Sequence, residues 1–93
     1  MSYRQDWNRL LTIELASWAA KAWPQLLADL TDGNVTYEVE YDSKRYTVEV
    51  DLLENADAYV HVSVAVDDGR LPESIHPASR SFICKKAEES SQP

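Results

Sequence analysis

Between Asn34 and Asp67 the chain alternates apolar and polar residues three times over, and this restricts the fold more than any other feature. Successive side chains of a strand point to opposite faces, so in "NVTYEVEYD" Val35, Tyr37, Val39 and Tyr41 share one side and Thr36, Glu38 and Glu40 the other. "RYTVEVDL" divides the same way, into Tyr46, Val48, Val50 and Leu52 against Arg45, Thr47, Glu49 and Asp51. "YVHVSVAVD" sets Val60, Val62, Val64 and Val66 against His61. Three half-buried strands joined by "DSKR" and "ENADA" predict an antiparallel meander.

A slip of one residue would send every apolar side chain into water, so the pattern restricts the registers too. A turn centred on Ser43 and Lys44 pairs Tyr41 with Tyr46, Val39 with Val48, Tyr37 with Val50 and Val35 with Leu52. A loop over Glu54 to Ala58 pairs Leu52 with Val60, Val50 with Val62, Val48 with Val64 and Tyr46 with Val66. On the polar face the same registers set Asp51 opposite His61, Glu49 opposite Ser63, Glu38 opposite Glu49, Glu40 opposite Thr47 and Arg45 opposite Asp67.

Ahead of the strands the period is helical. Ser2 and Gln5 have the spacing of a capping box, and Trp7, Leu10, Leu11, Leu15, Trp18 and Ala22 form one broad stripe. Pro24 cannot donate a backbone hydrogen bond, which predicts a kink or break at Trp23–Pro24 and a second short helical piece ending before "TDGN". Gly33 suits the left-handed turn that ends a helix. The predicted fold is α+β in two layers, an N-terminal helix laid on a three-stranded antiparallel meander. Each buried Trp or Leu contributes roughly 1.5–3 kcal/mol. Ile13, Trp23 and Leu27 lie off the main stripe and need cover, which a homodimer could supply.

Beyond the turn signal "DDG" the text changes to "RLPESIHPASRSF", an irregular segment held by Pro72 and Pro77. It contains Arg70, His76, Arg80 and Phe82, residue types that anchor interfaces; otherwise it is a strap that covers one edge or end of the sheet. "SFIC", Ser81 to Cys84, could add a short fourth strand, and residues 87–93 read as a disordered tail after a single domain spanning 1–86.

Charge narrows the function. The 93 residues carry a net charge of −7. Residues 31–68 hold ten acids against two bases, whereas residues 1–30 hold three of each and residues 69–93 three acids against four bases. An acidic surface repels phosphate backbones, which argues against nucleic acid as a partner. No run of 18 apolar residues and no apolar leader is present, so neither membrane insertion nor secretion is expected, and one cysteine suits a reducing cytoplasm.

Among chemistry-bearing residues, His61 with Asp51 could be an oriented base, or a metal ligand beside Glu49; the competing reading is an exposed cross-strand ion pair. An open sheet face lacks the concavity that catalysis and tight metal binding require. Cys84 with His61, His76 or Asp51 carries no local signature of a nucleophile, and turn chemistry explains Asp67–Gly69. No phosphate-binding glycine loop or paired-cysteine metal pattern occurs. The expectation is a non-enzymatic interaction protein without catalytic residues, cofactor or metal. It would meet a protein partner, a basic one if through the acidic face of Glu38, Glu40, Glu49, Asp51 and His61, or use the 70–82 segment with Arg70, His76 and Arg80. The alternative is a small enzyme or ligand binder using His61 and Asp51 in a cavity closed by dimerisation.

Overall fold

The computed structural model describes residues 3–67 and 78–86, and it is an α+β fold of two helices and a four-stranded antiparallel sheet. In chain order these are α1 (Tyr3–Ala19), α2 (Trp23–Asp29), β1 (Asn34–Tyr41), β2 (Lys44–Asn55), β3 (Tyr59–Asp67) and β4 (Ala78–Lys85). The sheet order is β1-β2-β3-β4. Ser2, Arg70, His76 and the 87–93 tail lie outside the described residues. The irregular segment expected over 70–82 is corrected in its last part: Ala78 to Phe82 belong to β4, which is twice as long as "SFIC".

One face of the sheet is the core. Tyr46, Val48, Val50, Val60, Val62, Val64 and Val66 are fully shielded from water, together with Leu26 and Leu30 of the α2 region, and Leu10, Leu11 and Trp18 of α1 are buried with them. Leu15, Trp23, Leu27, Val35, Tyr37, Val39, Tyr41, Leu52, Phe82 and Cys84 pack around this centre. Of the three residues off the main helical stripe, Ile13 stays 51% exposed, whereas Trp23 and Leu27 find cover within the chain. The Lys86 ammonium lies 4.9 Å from the centre of the Trp23 ring and also donates to Asn55 Oδ1 at 2.7 Å.

The helical break falls earlier than Trp23–Pro24. The chain leaves α1 at Ala19, Ala22 is extended at ψ 153°, and Pro24 sits in the first turn of α2. There its missing N–H costs nothing, because first-turn donors have no intrahelical partner. Asp29 closes the corner by accepting from Lys21 Nζ at 2.9 Å and from Gln25 Nε2 at 2.8 Å. These two donors, Lys21 first, hold its carboxyl below the usual carboxylate range. Gly33 then turns the chain at φ 98°, donating to Leu30 O while its own carbonyl accepts from Leu52 N–H.

Both expected registers are corrected by two residues. Val35 pairs with Val50, Tyr37 with Val48, Val39 with Tyr46 and Tyr41 with Lys44. The turn residues are Asp42 and Ser43, at φ 54° and 66°, the double positive φ of a type I′ hairpin. Asp tolerates that conformation better than Lys, so the turn sits one position earlier than Ser43–Lys44. Between β2 and β3, Leu52 pairs with Val62, Val50 with Val64 and Val48 with Val66, but beyond Leu52 the register shifts so that Glu54 meets His61 and Asn55 meets Val60. Leu53 is the extra residue of a bulge and stands 53% exposed. A two-residue slip preserves which face each side chain occupies, so the apolar face survives while every cross-strand partner changes.

Tyr37 ties the edge strand β1 to α1. Trp18 Nε1–H donates to the Tyr37 hydroxyl at 2.9 Å, and that hydroxyl donates to Glu14 Oε1. Burial, then the Glu14 carboxylate, push the Tyr37 phenol up to about 12 from 10. Its protonated form is therefore favoured by folding. This contribution is complete below pH 10, the unfolded value, and is lost as pH rises through about 12.

Tyr37→Phe should lower stability by about 1–2 kcal/mol in urea titrations at neutral pH. The gap between the two chains should shrink between pH 10 and about 12, and a constant gap would show that the phenol proton is not involved. Ser43→Gly should raise stability by about 0.5–1 kcal/mol by relieving a positive φ, measurable as a higher urea midpoint at unchanged slope.

Candidate functional site

The face of the sheet opposite the helices is open: none of its described side chains is buried. The pairings place its residues in rungs. Across the four strands run Thr36, Glu49, Ala65 and Ser79, and next to them Asn34, Asp51, Ser63 and Ser81. On one side lie Glu38, Thr47 and Asp67, then Glu40 with Arg45; on the other lie Glu54, His61 and Ile83, then Tyr59 with Lys85. Six carboxylates, those of Glu38, Glu40, Glu49, Asp51, Glu54 and Asp67, thus share a surface with Arg45, Lys85 and His61. Thr36, Thr47, Ser63, Ala65, Ser79 and Ser81 form a low floor between them.

The corrected registers change the electrostatics. Glu38 and Glu49 do not face each other; each lies opposite a threonine, Thr47 and Thr36, and Glu40 faces Arg45. Like charges directly opposite on a sheet are destabilising, so the observed register removes a repulsion that the expected one contained. The Arg45 guanidinium also approaches Glu38 at 3.6 Å, an exposed pair that contributes little. Asp67 lies opposite Thr47 rather than Arg45.

His61 is not paired with Asp51. Asp51 faces Ser63, one rung away, and His61 faces Glu54. The His61 Nε2 instead lies 3.0 Å from Ser81 Oγ, in hydrogen-bond contact with β4. Glu54 is engaged by the Tyr59 hydroxyl, which donates to its Oε1 at 2.9 Å and whose own pKa that carboxylate raises. Cys84 occupies the helix side, opposite Val60, so the sheet separates it from His61 and Asp51. Arg80, opposite Val64, is likewise on the helix side.

Among the described residues no three His, Cys, Asp or Glu side chains converge on a point where a metal ion would sit. A groove of about 390 Å³ lies on the helix side, lined among the described residues by Asn8, Arg9, Thr12, Ile13 and Tyr41. It receives none of the carboxylates or histidines singled out above. No described helix is long and apolar enough to cross a membrane.

Sequence reasoning placed Glu38, Glu40, Glu49, Asp51 and His61 on this face, where parity alone puts them. It missed Glu54 and the exposed pair Leu53 and Ile83. The signal for Glu54 was the doublet Leu52–Leu53, which breaks the alternation and marks where a bulge resets the phase. Comparison with protein-family models, with characterised proteins and with solved structures returns no match, so what this face does has to be argued from its own geometry.

Proposed function

We propose that this chain is a cytoplasmic, non-enzymatic interaction module whose open sheet face docks a basic protein surface. The observation that carries the reading is the distribution of charge in the fold. Both helices serve one side of the sheet, and the other side presents six carboxylates over a floor of small side chains. A flat, acidic surface suits broad contact with lysine- and arginine-bearing surface, and its field accelerates encounter with such a partner.

Among the described residues Glu40, Glu49 and Asp51 have no ion pair of their own to lose. Glu38 shares Arg45 only across 3.6 Å in solvent, so a partner's cation replaces water rather than an established ion pair. A catalytic role for His61 gains little support, since its neighbour is a serine hydroxyl and its cross-strand carboxylate is held by Tyr59.

The experiment is affinity capture from cell extract at low salt with the intact chain and with a Glu38→Lys/Glu49→Lys double variant. A partner retained by the intact chain should be released as sodium chloride rises from about 0.05 to about 0.3 M, and the variant should not retain it. Recovery of nothing at low salt, or of a partner indifferent to salt and to charge reversal, would overturn the reading.

A further inference from the structure

The two edges of the sheet differ, and the backbone shows how. In an antiparallel ladder, directly opposed residues alternate between exchanging both hydrogen bonds and exchanging none. Lys86 N–H donates to Ala58 O at 2.9 Å, which continues the β3–β4 register and sets its phase. Residues 80, 82 and 84 therefore bond inward to β3, and Ser79, Ser81, Ile83 and Lys85 turn their N–H and C=O groups outward. Leu52 N–H donating to Gly33 O at 2.8 Å sets the phase of β1 in the same way, leaving Asn34, Thr36, Glu38 and Glu40 to face outward.

An edge strand offers unpaired backbone to any extended chain, and charge on the edge is one of the devices that block pairing. On β1 two carboxylates stand among the four outward residues. The outward residues of β4 are two serines, an isoleucine 56% exposed, and one lysine at its end. No proline interrupts β4, no register shift occurs in its pairing with β3, and no described strand lies on its outer side.

We propose that this edge is a self-association site, at which the β4 strands of two copies of the chain pair antiparallel about a twofold axis at Phe82 to make an eight-stranded sheet. The register that pairs all four outward residues sets Ser81 opposite Ile83 of the second copy and Ser79 opposite Lys85 of the second copy. Phe82 then meets its own equivalent. No like charges are opposed along the seam. Phe82 and Cys84, half-buried at the rim of the core, gain cover on the helix side, and the two Ile83 side chains become diagonal neighbours on the open side.

Charge selects a second copy in this arrangement over the other ways the edges could combine. Pairing β1 with β1 would bring four glutamates into one seam. Pairing β4 with β1 of the next copy is head-to-tail, leaves a free edge at each end of the pair, and sets the glutamates of β1 against every added copy. The twofold pairing of β4 joins the least acidic part of the chain and sends the acidic β1 strands to opposite ends of the long sheet.

Sedimentation equilibrium of the full chain should show a dimer at tens of micromolar. Ser81→Pro removes an outward N–H without touching the β3–β4 ladder, and should raise the dissociation constant about tenfold or more while circular dichroism shows the fold retained. Thr36→Pro, the equivalent change on β1, should leave the dimer intact. Ile83→Lys, which keeps every backbone group and adds like charge at the seam, should also dissociate it, so the test stands even if the proline variant fails to fold. A monomer at hundreds of micromolar, or a dimer that survives Ile83→Lys, or one that Thr36→Pro disrupts equally, would overturn the assignment.

Discussion

Seven side chains of the two central strands, Tyr46, Val48, Val50, Val60, Val62, Val64 and Val66, are kept dry on one side of the sheet, and the rest of the molecule is arranged around that requirement. Valine is stiff at χ1 and suits a pleated surface, so the strands bring little side-chain entropy to lose. What they lack is a lid. Leu10, Leu11 and Trp18 supply one part of it and Leu26 and Leu30 another, so two helical pieces share the cover. The break at Ala20–Ala22 serves packing in this way. Asp29, bonded to Lys21 within the break and to Gln25 after it, ties the corner to α2.

Parity was legible in the sequence and partner identity was not. Which face Val48 or Glu49 occupies follows from alternation alone, and no register error of two residues can alter it. The partners depend on turn chemistry, and "YDSKRY" contains no glycine to mark where φ turns positive. Asp42–Ser43 and Ser43–Lys44 both leave the apolar face intact, and only the cost of a left-handed Lys44 separates them. The bulge at Leu53 was hidden because Leu52–Leu53 reads equally well as the end of a strand. β4 was obscured for another reason: in "ASRSFICK" an arginine occupies the set that otherwise holds Phe82 and Cys84, so the alternation is imperfect and Pro77 draws the eye to a loop.

The candidate site follows the same division. The acids were assignable to one surface from the sequence, but a supposed dyad of His61 and Asp51 depended on the register and disappeared with it. A pair of residues on adjacent strands is a weaker inference than a face. The face requires only the alternation within each strand, whereas the pair requires a turn to be located to the residue.

This asymmetry bears on how such a chain can acquire a binding surface. Substitutions at Thr36, Glu38, Glu49 or Asp51 leave the dry side untouched, because strand geometry points those side chains away from it. Charge can therefore accumulate on the open face at the cost of mutual repulsion alone, and the observed rungs keep even that small by setting Glu38 and Glu49 against threonines and Glu40 against Arg45. The edges are constrained differently. Glu38 and Glu40 both tune the open face and block pairing along β1, whereas β4 carries Arg80 on one side and Lys85 on the other and leaves Ser79, Ser81 and Ile83 along its outward backbone. An acidic face with one guarded edge and one unguarded edge separates two kinds of contact in space, side-chain charge for a basic surface and backbone hydrogen bonds for a strand, so each can be altered without disturbing the other.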